Sequence, residues 1–189
     1  LWSRTAAPAA HGAEGTCTVC ISQLYGHGGK TDSPLNADFV ELFNRTGAAY
    51  SLRGWQLGFA DAGSEDWRTV ELGPLTLPPY GYALIGLKSG ASGAPLPPAD
   101  LTGSVNLGGS DGKVQLVDGE NTLIDLLGYG AAEWAEGAPA AAPRVGMALL
   151  RLGGGCTDTD DNAADFVPSV PAPRSSQSPA PSCAAGDPT

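Results

Sequence analysis

Asp38-Phe39-Val40-Glu41-Leu42-Phe43-Asn44-Arg45-Thr46-Gly47-Ala48-Ala49-Tyr50-Ser51-Leu52-Arg53-Gly54-Trp55-Gln56-Leu57-Gly58 reads as strand, turn, short strand, glycine turn and strand. Side chains on a strand alternate between faces, so Val40 and Leu42 share one side of the first strand. Asn44 to Gly47 carries turn chemistry, because Asn tolerates the left-handed region and Gly prefers it. Gly54 breaks the chain just before Trp55, Leu57 and Phe59, which alternate onto one apolar face. A large aromatic on an inward face anchors a β-sandwich core. The formal glycosylation sequon Asn44-Arg45-Thr46 is read here as part of the turn.

Working outward, the same grammar repeats. Thr18 to Tyr25 reads as the first strand, from its β-branched content and alternation. Trp67 to Leu72, Leu75 to Leu77, Tyr82 to Leu87, Val105 to Leu107, Lys113 to Asp118, Leu123 to Leu127 and Met147 to Leu152 follow, the last as the final core strand. Polar and glycine-rich turns separate them. The expected fold class is all-β: a two-layer antiparallel β-sandwich with extended N- and C-terminal arms. Its core should contain Val40, Leu42, Trp55, Leu57, Ile85, Val114, Leu116 and Leu150. The expected divisions are an arm over 1–16, a sandwich over 17–167 and a Pro/Ser/Ala-rich, linker-like tail over 168–189. Residues 88–103 are read as one long loop.

Composition narrows the function. The chain has 189 residues, 27 Gly and 16 Pro, with 10 basic against 20 acidic residues and a formal charge of −10. Affinity for nucleic acid draws on cationic contacts to phosphate, so strong nucleic-acid binding is not expected. No apolar run is long enough for a transmembrane helix. Cys17, Cys20, Cys156 and Cys183 make an even count, which points to disulfides and to a secreted, extracellular or cell-surface location. Their pairing stays open. A Cys17–Cys20 bridge within one extended strand would have to span about 10 Å, beyond disulfide reach, so it needs a turn at Thr18-Val19.

Candidate sites are few. Asp158, Asp160, Asn162 and Asp165 lie in the densest polar cluster and open like a D-x-D-x-N calcium loop, with oxygen ligands suited to a hard cation. The sixth position is Ala163 and the twelfth Ser169, so the full calcium-loop pattern fails; turn capping by the same carboxylates is the competing reading. Gly26 to Lys30 lacks the spacing of a phosphate loop. His11 and His27 are the only histidines, and neither G-x-S-x-G nor H-E-x-x-H occurs, so no enzyme is expected. Trp2 stands out in an arm otherwise poor in large apolar groups and is the candidate anchor for assembly.

Several blocks together resemble the lamin-tail domain family of the secreted bacterial type. They are Asp38–Asn44 (DFVELFN), Ser51–Leu57 (SLRGWQL), Gly81–Leu87 (GYALIGL), Leu123–Gly130 and Cys156–Phe166 (CTDTDDNAADF), in order across roughly 18–175. The resemblance implies an immunoglobulin-like sandwich and a non-catalytic module, found beside secreted nucleases and phosphatases or in surface proteins. The resulting expectation is a secreted structural or interaction protein that assembles with copies of itself through its arms into an oligomer or filament. The alternatives are an accessory module of a secreted nuclease or phosphatase, and a calcium-dependent surface-binding module.

Overall fold

A computed structural model describes residues 17–180 and Cys183; the 1–16 arm and Trp2 lie outside the described residues. Twelve strands form: β1 (Val19–Tyr25), β2 (Ala37–Asn44), β3 (Tyr50–Ser51), β4 (Gln56–Ala60), β5 (Arg68–Glu71), β6 (Thr76–Leu77), β7 (Tyr82–Ser89), β8 (Leu101–Thr102), β9 (Gly112–Val117), β10 (Leu123–Tyr129), β11 (Ala148–Arg151) and β12 (Phe166–Ser169). The short α-helix α1 (Asn162–Asp165) sits in the acidic cluster. A six-stranded sheet runs β12-β11-β1-β2-β7-β8 and faces a four-stranded sheet ordered β10-β9-β4-β5, while β3 and β6 pair beside them.

The alternation in the Asp38–Gly58 stretch produces this arrangement. Val40 and Leu42 point inward from β2, opposite Leu24 and Ile21 of β1 and next to Ile85 and Ala83 of β7. Leu57 and Phe59 of β4 meet them from the other sheet, with Val114 and Leu116 of β9 alongside. Gly54 takes φ of +82°, a conformation open to glycine, and turns the chain so that Trp55 enters the core against Tyr50, ring centroids 5.4 Å apart. Asn44 is fully buried, and its amide donates to the carbonyls of Ala48 and Pro78 while accepting the Thr46 N–H. The sequon is therefore turn chemistry inside the fold.

All eight residues of β2 are buried, which one covered face would not achieve. A second apolar cluster, Tyr25, Phe39, Leu84 and Ala148, lies on the outer side of the six-stranded sheet under Leu35, Leu96 and Ala99. The region read as one loop over 88–103 thus covers this face, and it contributes β8, which pairs parallel to β7. Val105 to Leu107 forms no strand.

Three further expectations are corrected. Leu150 belongs to the outer cluster, and Leu149 is the core residue, fully buried. The parity follows from register: Leu149 stands opposite inward-facing Leu24, and Leu150 opposite Gln23. The strand at β11 is not the last, because β12 pairs with it from Arg151↔Phe166 to Ala148↔Ser169. Residues 168–178 are not a free tail. The Gln23 side-chain amide exchanges two hydrogen bonds with the Ala172 backbone (2.9 and 2.8 Å), doing for this segment what a neighbouring strand would do.

Leu149→Ala should destabilise the fold by about 2–5 kcal/mol, the usual cost of emptying a buried leucine site. Leu150→Ala should cost clearly less, because its outer site is only partly enclosed. Urea unfolding of both variants measures the difference, and equal costs would contradict the register.

Candidate functional site

A buried ionic cluster lies where the open side of the sandwich should gape. The β1–β11 ladder registers only at Gln23↔Leu150 and Leu24↔Leu149, leaving the Ile21 peptide without a strand partner on that side. Arg151 and Asp125 replace it. Arg151 Nε donates to the Ile21 carbonyl at 2.8 Å, and Asp125 accepts the Ile21 N–H. The two side chains then pair with each other through Arg151 Nη2 at 2.8 and 2.9 Å. Since Asp125 comes from β10, this pair joins the two sheets.

The acidic cluster completes the guanidinium's surroundings. Arg151 Nη1 donates to Asp158 at 3.0 Å and Asp165 at 3.4 Å, and the guanidinium carbon stands 4.5 Å from the Phe166 ring centroid. Burial works against the charge on Arg151. The carboxylates of Asp125 and Asp158 outweigh it and raise its pKa above the ordinary arginine value. Asp158 also accepts the Cys17 N–H at 3.1 Å and pairs with Arg45 at 3.3 Å. Asp165 accepts the Thr159 N–H and hydroxyl at 2.9 and 2.7 Å.

Asn162 has a different task. Its Oδ1 accepts the Gly128 N–H at 2.8 Å and its Nδ2 donates to the Leu126 carbonyl at 2.8 Å. Glu136 accepts the Leu126 N–H at 3.1 Å, and the Ala140 N–H donates to the Gly128 carbonyl at 2.8 Å. Together they satisfy the outer edge of β10, which would otherwise present unpaired backbone groups. Burial, and then the nearby charge of Asp125, push the Glu136 carboxyl up to about 9, so it is protonated at neutral pH.

Asp158, Asn162 and Asp165, all expected as calcium ligands, thus already serve protein donors. Turn capping falls to Asp161, which the D-x-D-x-N pattern skips; it accepts the Ala163 N–H at the start of α1. The carboxylates that do converge are Glu136, Asp158 and Asp160, with one ligand oxygen of each within 4.8 Å of the others.

The disulfides are Cys17–Cys20 and Cys156–Cys183, each with Cα atoms 5.5 Å apart. The chain bends at Thr18 and β1 begins at Val19, which supplies the turn a three-residue bridge needs. The second bridge closes a loop around β12 and residues 170–178. Within that loop Arg174 pairs with buried Glu41 at 2.7 Å, and its guanidinium carbon lies 3.9 Å from the Tyr82 ring centroid. Ser176 N donates to Asp100 at 2.9 Å. Burial raises the Glu41 pKa, and Arg174 opposes that rise.

No catalytic constellation forms among the described residues. His27 is buried, its Nδ1 has no hydrogen-bond partner, and burial followed by the charge of Lys30 lowers its pKa. The Ser33 hydroxyl donates to the His27 carbonyl rather than to its ring. Cys17 and Cys20 are spent as a disulfide.

A sandwich whose buried carboxylates and Arg151 bond to strands and turns of its own defines an immunoglobulin-like, all-β structural or binding domain. The chain belongs to the lamin tail domain family: the family model for Lamin Tail Domain matches residues 13–131, more than half of it. No curated protein matches the chain. The matched segment contains β1 to β10 with Asp125, whereas Arg151, the acidic cluster and the Arg174 segment lie beyond it.

Sequence reasoning missed Asp125, Glu136, Arg151, Glu41 and Arg174. The available signal was a single charge inside an otherwise apolar strand, as in Leu123-Ile124-Asp125-Leu126-Leu127, Ala148-Leu149-Leu150-Arg151 and Phe39-Val40-Glu41-Leu42-Phe43. Such charges are seldom fully buried unless paired.

Arg151→Met should destabilise the fold by about 3–5 kcal/mol, because it leaves buried carboxylates without their cation. A lower urea midpoint with an unchanged m-value reads this directly. Glu136 sets a pH dependence of known sign. Its folded pKa is raised, so the native state holds a proton that the unfolded chain releases near its ordinary value. Stability should therefore fall as pH rises from about 4.5 to 9, by at most about 1.4 kcal/mol per pH unit from this group. Glu136→Gln should flatten that slope in urea titrations across the window, and an unchanged slope would remove the assignment.

Proposed function

We propose that this chain is a non-catalytic extracellular structural and interaction module that joins copies of itself through residues 1–16, with Trp2 as the anchor. The observation that carries the non-catalytic reading is the use made of buried ionisable groups. Asp125, Glu136, Arg151, Asp158 and Asp165 are committed to strand edges, turns and each other. Catalytic groups need the opposite condition, a tuned group facing a cleft with room for a substrate.

Two disulfides support an oxidising location, and no described helix is long and apolar enough to cross a membrane. The other arm of the sequence supports the choice of joining element. Residues 172–176 are already bonded to Gln23, Glu41 and Asp100 of their own sandwich, and Cys183 is bridged to Cys156. An arm held in this way is not available to a neighbour. A segment that reaches from one copy to the next without closing a ring yields open assemblies.

Light scattering of the oxidised chain is expected to show a concentration-dependent oligomer. Deleting residues 1–16, or Trp2→Ala, should return it to a monomer with an unchanged melting temperature. A monomer at high concentration, or assembly that survives the deletion, would overturn self-association. The accessory role beside a secreted nuclease or phosphatase then becomes the better reading.

A further inference from the structure

The outer face of the four-stranded sheet carries a buried cation without a counter-charge. Lys113 rises from β9, between Ala60 of β4 and Gly128 of β10. It is 2% exposed. Its Nζ stands 4.6 Å from the Trp134 ring centroid and 5.8 Å from that of Trp67, and the two indoles are 6.4 Å apart, tilted by 42°. Among the described residues the ammonium makes no hydrogen bond and no ion pair. Glu41, Asp125, Arg151 and Asp165 are buried as well, and each has an opposite charge within bonding reach.

The sheet is shaped to hold the two tryptophans there. A Cβ on Gly58 would come within 3.2 Å of the Trp67 ring and 3.0 Å of the Gln115 Cγ. A Cβ on Gly128 would strike the Trp134 carbonyl at 2.1 Å. The missing side chains let Trp67 lie across β4 and the Trp134 segment across β10, on either side of Lys113. Gln115 is the next outward residue on β9, and it is partly exposed.

We propose that Trp67, Lys113, Trp134 and Gln115 form a binding site for an acidic saccharide, a sugar carrying a carboxylate or sulfate. Half-buried indoles offer flat apolar faces to a pyranose ring. The ammonium has three N–H donors, and the indole faces attract its charge without accepting conventional hydrogen bonds from it. An anionic oxygen supplies an acceptor that no described residue offers, and the Gln115 amide can both donate to and accept from ring hydroxyls. One ammonium suits one charge per sugar unit. A nucleic acid draws on many cations, and this chain has 10 basic residues against 20 acidic ones.

Titration calorimetry and tryptophan fluorescence at physiological salt test this, since screening over about 8 Å separates the site from the remaining surface charge. The probes are trigalacturonate for the carboxylate, a chondroitin sulfate disaccharide for the sulfate, neutral maltotriose and a short oligothymidylate. At least one acidic saccharide should bind at least about tenfold more tightly than maltotriose, a single charge-assisted hydrogen bond's worth of discrimination. Lys113→Met keeps the apolar stem and should remove that preference with the melting temperature retained. Lys113→Arg should keep it, and provides the comparison should the methionine variant unfold. Binding of neither acidic probe, equal binding of maltotriose, tighter binding of the oligothymidylate, or a preference that survives Lys113→Met would each overturn the proposal.

Discussion

The structure depends on one guanidinium. Arg151 reaches the Ile21 carbonyl of β1, Asp125 of β10, and Asp158 and Asp165 of the acidic cluster, with the Phe166 ring against its face. Arginine suits the position because its planar fork presents five donors that never lose their charge near neutrality. Desolvating so many ions is unfavourable, and a buried cluster of this kind is not in itself evidence of high stability. It does penalise every alternative pairing. Slipping β11 by one residue would bury its partner carboxylates alone and turn Leu149 away from the core. The alternation of apolar residues and the position of a single charge therefore specify the same register.

Much of this architecture was legible from the chain alone. Alternation located nearly every long strand, and Trp55, Leu57, Val40 and Leu42 occupy the core that their spacing implies. Parity failed at Leu149 and Leu150, because a run of adjacent leucines looks the same in either phase until a partner strand fixes it. The short strands β8 and β12 were missed for a different reason. Pro168 and the glycines and prolines around 90–98 read locally as linker, and only contact with the six-stranded sheet makes these segments regular. The acidic cluster was visible as a cluster, but its purpose was not. The cation that organises it lies on β11, outside any local motif, and the edge that Asn162 completes belongs to β10.

The sandwich also continues past the matched segment. The match to the lamin tail domain ends at residue 131, whereas the six-stranded sheet needs β11 and β12, which come later. The later residues do two things. They supply the partner strand for β1, and they cover the outer face of the sheet with a segment held at Gln23, Glu41 and Asp100. The Cys156–Cys183 bridge limits how far that segment can stray in the unfolded chain, an effect worth about 3–4 kcal/mol for a loop of this length on chain-entropy grounds. Glu41 would be a poor residue for the middle of a fully buried strand without this cover, since burial disfavours its charge and Arg174 restores it.

The distance along the chain between the two ends of the Arg151–Ile21 bond has a kinetic meaning. The donor follows the acceptor by 130 positions, and Asp125 reaches the same peptide across 104. A chain synthesised from its N-terminus therefore makes its first strand early and completes it late. Until β11 arrives, β1 keeps an open edge, and the Ile21 carbonyl has only water to bond. Topologies dominated by such distant pairings fold slowly, because the entropy of closing a long loop is lost before the contacts form. For this molecule the closing of β1 requires nearly the whole chain.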